Sequence, residues 1–269
     1  MLWLKILKYI RPVNLTAALN LIISPLIDVP LYAVYTNNLV SLISGMYYIP
    51  KYGVHFVTRS RSDDLYYMIP GREGIIEKFI LKSLEEGDVF VDVGANIGFY
   101  TILATKRVGN NGLVISLEPI PDTVKIMKLN CKLNNLKNVI VVEKAAWDKP
   151  AQIKLRIPLI AKLRFYGLAS PYINVKYIER LFEGGPLDSI LKYMDPHIEE
   201  IKMIKIDAEG AEEKIVNGAL ESFGKTKFLY IECRKEKEEI VKRVLQDMSF
   251  KCLRLEVPHA VHLLCRKVR

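Results

Sequence analysis

Cysteine is scarce in this sequence. Four residues (Cys131, Cys233, Cys252 and Cys265) are scattered over 269 positions with no CxxC pair among them. That spacing argues against a zinc site or a disulfide framework and leads us to expect buried thiols in a reducing compartment, hence a cytoplasmic protein. No internal repeat recurs at a period of roughly 20–50 residues and no low-complexity tract is present, which excludes solenoids and arrays. Charge is almost missing between Pro12 and Pro50, where Asp28 is the only charged residue. Yet Pro25, Pro30 and Asn37-Asn38 interrupt that run, so it does not read as a clean spanning helix of about 20 apolar residues. No small-x-small cleavage site follows it, which argues against a secretory signal.

What is present describes one folded domain with an extension. Half the residues are hydrophobic and 26% are charged, enough for a sizeable core, and this excludes global disorder. The formal net charge of +9 suits nucleic acid, a membrane surface or an anionic substrate without choosing among them. We divide the chain into an apolar, mainly helical extension over residues 1–69 and a main domain over 70–269. The extension starts MLWLKILKYIR, with Lys5, Lys8 and Arg11 on one helical face and Trp3, Leu4, Leu7 and Ile10 on much of the remainder. Two readings stay open: the helix packs on the domain, or it lies in a membrane interface at the cytoplasmic face. A second unusual stretch, about 151–180, carries six basic residues against Glu179 alone, interleaved with Phe165, Tyr166, Tyr172 and Tyr177. It reads as a solvated hairpin or flap, or as a surface for a nucleic-acid strand or a sugar-bearing substrate.

From about residue 70, short apolar runs alternate with helical patterns. Strands are expected at 88–93, 113–118, 139–143, 201–206 and 227–232, with helices at about 75–84, 99–107, 122–133, 211–222 and 240–248. Near-continuous apolar strands separated by helices predict an α/β, Rossmann-like, doubly wound and mostly parallel sheet. The last two runs, FKCLRLEV and HAVHLLCRKV, are joined too closely for a parallel crossover and must pair antiparallel.

The most informative segment is VDVGANIGFYT, from Val91 to Thr101. Gly94 and Gly98 bracket a strand-to-helix turn where a ligand could approach the backbone. It is not a dinucleotide fingerprint, since Asn96 and Phe99 stand where glycines are needed, and no Gly-Lys-Ser/Thr of a phosphate loop follows. Asp92 just before the turn disfavours a pyrophosphate and favours a cation. Glu118, 20 residues beyond Gly98, is placed to accept the hydroxyls of a ribose. A ligand with a ribose, no phosphate and a cationic end is S-adenosylmethionine. Further on, IKMIKIDAEGAEEKIV sets Asp207 and Glu209 at a strand end, where they face the site or else cap the following helix.

VDVGANIGFYT, LEPIP, NCKLNN, PLDSIL and KIDAEGAE together resemble the FkbM-type S-adenosylmethionine-dependent methyltransferases, over about residues 70–235. The resemblance implies a class I fold and O-methylation of hydroxyls on sugars, polyketides or related molecules. Carried over position by position, it implies that Asp92, Gly94, Ala95, Asn96, Gly98 and Glu118 line the cofactor. Ala145 lies near the adenine, and Asp207, Glu209 and Glu232 face the reacting centre. His197 precedes its strand and sits at the wrong edge. His259 and His262 belong to the terminal hairpin, so we expect a carboxylate base, Asp207 first. A divalent cation on the paired acids is a less favoured alternative. The acceptor is expected to be a glycan, a lipid-linked or another small hydroxyl compound. An RNA acceptor held by the basic insert, or a silent binding module, are the rivals; the absence of an Asn/Asp-Pro-Pro-aromatic turn weighs against nucleobase methylation.

Overall fold

The computed structural model describes residues 2–32, 39–160, 162–172, 176–257 and 260–268. The chain opens with α1 (Leu2–Tyr9), a two-residue strand β1 (Arg11–Pro12) and the long helix α2 (Leu15–Tyr32). An antiparallel hairpin, β2 (Gly45–Ile49) and β3 (Val54–Thr58), follows and pairs with β1. The hairpin was not anticipated in the extension; its strands bury alternate residues, the period-2 pattern of a sheet with one face on the core. A turn of helix α3 (Asp64–Tyr67) and α4 (Gly74–Ser83) lead into the main sheet.

That sheet begins with β4 (Val89–Val93), α5 (Phe99–Val108), β5 (Leu113–Leu117), α6 (Pro121–Leu133) and β6 (Val139–Val142). The chain then departs into a second sheet made of β7 (Ala145–Trp147), β8 (Ala151–Ile160), β9 (Leu163–Arg164) and β10 (Tyr177–Pro186). The basic stretch is therefore a hairpin, β8 against β10, carried on a four-stranded sheet. Helix α7 (Leu187–Met194) returns to β11 (Ile201–Asp207), α8 (Glu212–Asn217), α9 (Leu220–Gly224), β12 (Thr226–Cys233) and α10 (Glu238–Asp247). The hairpin β13 (Phe250–Glu256) and β14 (Val261–Lys267) completes the sheet.

The seven-stranded order is β13-β14-β12-β11-β4-β5-β6. Strands β6, β5, β4, β11 and β12 are parallel, whereas β14 runs antiparallel to both β12 and β13. Chain order reverses between β4 and β11, so ligands are expected beyond the carboxyl ends of these strands. Helix was expected without a break over 211–222. It divides at Gly218 because the backbone there presses on Trp147: a Cβ at Gly218 would meet that carbonyl oxygen at 1.9 Å.

The expectation of four free thiols is corrected. Cys252 and Cys265 stand directly opposite each other in the β13–β14 register and form a disulfide, while Cys131 and Cys233 are free and buried. The extension is also tied to the domain. Ile6 and Ile10 of the first eleven residues are 1% exposed and share one hydrophobic cluster with Phe90, Ile102 and Leu264. The apolar side of α1 that was a candidate for membrane contact is thus partly consumed by the core.

Candidate active site

A cavity of about 760 Å³ opens at the switch point, within the range of roughly 300–1,000 Å³ usual for small-molecule sites. Its floor is the turn after β4. Gly94 adopts φ +75°, and a Cβ there would lie 1.9 Å from the Asp207 carbonyl oxygen, so only glycine lets the β4 and β11 ends come together. The backbone N–H groups of Gly94 and Ala95 both donate to the Leu117 carbonyl, which fixes the turn against β5.

Glu118 ends β5 inside this floor. Its two carboxylate oxygens accept the N–H groups of Asn96 (3.1 Å) and Ile120 (3.0 Å), leaving a further lone pair on each for a ligand hydroxyl. Burial pushes the Glu118 pKa up to about 7 against the pull of those two N–H donors. Asn96, at φ 51°, buries a side-chain oxygen that has no hydrogen-bond partner. Glu118, Asn96, Ala95 and Ala145 all line the cavity. A carboxylate with spare lone pairs and an orphaned amide oxygen fit the ribose and amino groups of S-adenosylmethionine.

Asp92 and Gly98 stand differently from the others. Neither lines the cavity. Asp92 is fully buried beneath it, with Oδ2 accepting the Thr101 hydroxyl at 2.8 Å and Oδ1 lying 3.0 Å from the Lys205 ammonium. The cation that Asp92 was expected to favour is supplied by the chain itself. Gly98 serves the backbone: it begins α5 at φ +89° and abuts Met127.

At the opposite end the acids converge. Asp207, Glu209 and Glu232 all line the cavity with Lys205 and His262. Strand β11 stops at Asp207, and Glu209 takes φ 51°, its carbonyl held by the Ser170 hydroxyl (2.6 Å) and the Arg234 guanidinium (3.2 Å). No side chain caps α8; Glu212, its first residue, accepts the Gly210 N–H on Oε1 at 2.8 Å. Burial, with Asp207 and Glu212 nearby, raises the Glu209 pKa to about 8. Burial also raises Asp207, opposed by Lys205, and raises Glu232 well above the usual carboxyl range, with Asp207 reinforcing it. Lys205 lies 3.0 Å from Asp92 and 3.8 Å from Asp207; burial works against its charge, but these carboxylates outweigh that and hold its pKa above the usual value. Among the described residues no group of three or more His, Cys, Asp and Glu is arranged to hold a metal ion.

His262 corrects the expectation that the terminal hairpin stays clear of the chemistry. The antiparallel register sets it beside Glu232, with Nδ1 2.7 Å from the Tyr230 hydroxyl, and burial lowers its pKa. His259 lies outside the described residues. The extension contributes as well. Its Tyr66 and Tyr67 wall the cavity together with Arg72 and Glu73 at the start of the main domain, and Arg72 lies over both tyrosine rings at 4.9 and 4.8 Å. The Asp63 carboxylate accepts the N–H groups of Tyr166 and Gly167, both at 3.0 Å, joining the extension to the turn of the second sheet that closes the other wall.

A mostly parallel sheet ending in an antiparallel hairpin, with an acid-lined cavity at its switch point, is the Rossmann-like α/β architecture expected from the sequence. The family model described as "Methyltransferase FkbM domain" matches residues 92–257, and the chain belongs to that family. Curated relatives include a protein-L-isoaspartate O-methyltransferase 1 of Archaeoglobus fulgidus, 34% identical over 62 residues, 23% of this chain and 29% of that protein. A protein-L-isoaspartate O-methyltransferase of Caenorhabditis elegans is 26% identical over 143 residues, 51% of this chain and 61% of that protein. The chain therefore spans less than two thirds of these relatives' lengths. A solved structure described as a putative rRNA-methylase from Clostridium thermocellum shares the fold, with a TM-score of 0.50 at 13% identity over 73% of this chain and 96% of that one.

Proposed function

We propose that the protein methylates a hydroxyl oxygen on a small, glycan or lipid-linked acceptor. One observation carries this reading: one cavity has a polar floor at Glu118 and Asn96 and also gathers three carboxyl groups beside His262, whose pKa burial lowers. When bound, S-adenosylmethionine supplies a methyl group on a sulfonium that leaves readily. Glu118 and the Gly94–Asn96 backbone orient it, and Ala145 lies against its base. Asp207 takes the acceptor's proton, with Glu209 and Glu232, whose charged forms burial disfavours, beside it. Carboxyls whose pKa burial raises toward neutrality are stronger bases than exposed ones, which is what general-base work near neutral pH requires. Tyr66, Tyr67 and the 166–168 turn exclude water and set the size of the acceptor.

The enclosing walls favour a small acceptor over an RNA strand; the insert keeps its net positive charge, since Lys154 and Arg156 share the one carboxylate of Glu179. The test is calorimetric titration with S-adenosylmethionine and S-adenosylhomocysteine, followed by radiolabelled methyl transfer to hydroxyl acceptors. Glu118→Ala is expected to weaken cofactor binding at least tenfold, and Asp207→Asn to abolish transfer while leaving binding within a few-fold. Folded wild type that binds neither cofactor form overturns the reading.

A further inference from the structure

Helix α2 is built inside out. The face it turns to the domain is Ala17, Asn20 and Ser24, all buried. Asn20 donates to the Ser41 hydroxyl (3.0 Å) and the Tyr47 hydroxyl (2.8 Å), and accepts from the Ser24 hydroxyl (2.7 Å) and the Ile43 N–H (2.9 Å). A side chain with two donors and two acceptors so engaged fixes the rotation of the helix about its axis. Gly45 reinforces it, because the strand runs so close that a Cβ there would meet the Ala17 backbone at 2.8 Å.

The consequence is on the outside. Leu15, Leu19, Ile22 and Leu26, spaced by four, three and four residues along one helical face, are 75%, 42%, 66% and 73% exposed. Leu7 and Val13 are exposed as well. Ordinary surface helices do the reverse, turning the apolar stripe inward and charge outward. Here no charged residue occurs from Pro12 to Ile27, and the charges before that, Lys5, Lys8 and Arg11, are all basic. Lys8 and Arg11 are exposed in the segment that leads into α2, with Tyr9, 37% exposed, between them in sequence. No described helix is long and apolar enough to cross a membrane.

We propose that the outward face of α2 seats the protein on an anionic membrane, with Leu15, Leu19, Ile22 and Leu26 in the acyl boundary and Lys8 and Arg11 at the headgroups. An apolar stripe without charge of either sign, flanked among the described residues by cations, complements a lipid surface; the rim of a protein interface carries polar groups that could answer a partner's. This face stands independently of the methyl-transfer reading.

The full-length chain is mixed with vesicles of phosphatidylcholine, with and without phosphatidylglycerol, and sedimented. Wild type is expected to pellet with the anionic vesicles. Leu19→Gln/Ile22→Gln, at exposed positions that keep the melting temperature, is expected to lose binding by about tenfold or more. Lys8→Glu/Arg11→Glu is expected to lose a comparable amount on anionic vesicles and little on neutral ones. Wild type that stays in the supernatant with both vesicle types overturns the proposal. So does a solution dimer that ignores vesicles and is dissociated by Leu19→Gln/Ile22→Gln, since a second copy would then cover the stripe. Because no cofactor enters the assay, its outcome is separable from that of the binding titration.

Discussion

Lys205→Met isolates the charge that joins β4 to β11. The Lys205 side chain is 3% exposed and its ammonium sits 3.0 Å from Asp92, which is fully buried, and 3.8 Å from Asp207, which is 21% exposed toward the cavity. Methionine fills nearly the same volume, so the change removes the cation without opening a void. Breaking a buried pair by deleting one partner costs about 3–5 kcal/mol, because the other charge is left uncompensated. The lower end applies here: Asp92 keeps the Thr101 hydroxyl bond at 2.8 Å, and Asp207 can turn its charge toward the cavity. For a chain of this size about 3 kcal/mol lowers the melting temperature by roughly 6–12 °C. The assay is urea unfolding followed by circular dichroism on wild type, Lys205→Met, Asp92→Asn and the double variant. Lys205→Met/Asp92→Asn is expected to be more stable than Lys205→Met and to approach wild type within about 1 kcal/mol, the signature of a buried charge left alone in the single variant. A single variant within about 0.5 kcal/mol of wild type refutes the reasoning, as does a double variant less stable than Lys205→Met.

The remaining predictions concern pH and redox state. Glu209 has an ordinary value of 4.5 and a folded value of about 8. Between these the folded protein holds a proton that the unfolded chain has released, so stability falls as pH rises across that window and levels off above it. Glu209→Gln should flatten the fall in melting temperature between about pH 5 and about pH 9; an unchanged pH profile would show that Glu209 is ionised and well solvated when folded. The Cys252–Cys265 bridge closes a sequence separation of 13 residues, for which loop entropy gives about 3 kcal/mol. Reductant should therefore lower the wild-type melting temperature by several degrees and leave Cys252→Ser/Cys265→Ser unmoved. An equal response of both proteins to reductant counts against a bridge.

The parallel strands were legible because they are mostly apolar and the central ones are buried on both faces, as in VFVDV and LVISL. The turn after β4 and the DAEG corner were legible because glycine and acid occur together at a strand end. What sequence did not disclose depends on register. His262 enters the cavity only because β14 pairs antiparallel with β12 so that His262 faces Glu232, and the same alignment puts Cys252 against Cys265. Spacing along the chain carries neither pairing. Lys205 did leave a signal: a lysine inside the apolar run IKMIKID needs a buried carboxylate, and Asp92 is its register partner across β4.

In the extension a local pattern leaves its partner undetermined. MLWLKILKYIR has the periodicity of an interfacial helix, yet Ile6 and Ile10 pack inside. The longer run behind it carries no strong amphipathic signal because its inward residues are alanine, asparagine and serine. Its orientation is decided by Ser41 and Tyr47, 21 and 27 residues away from Asn20, which supply the hydrogen bonds that draw the polar side inward. Charge sorting in the cavity follows the same logic. Asp92 surrenders its charge to Lys205 below the floor and Glu73 pairs with Arg72 in the wall, so the other acids facing the guest are Glu118 at one end and Asp207, Glu209 and Glu232 at the other. Burial raises the pKa of all four, and a cationic ligand arriving among them would favour their ionised forms. A cavity lined in this way favours a cationic guest over a neutral one of the same shape.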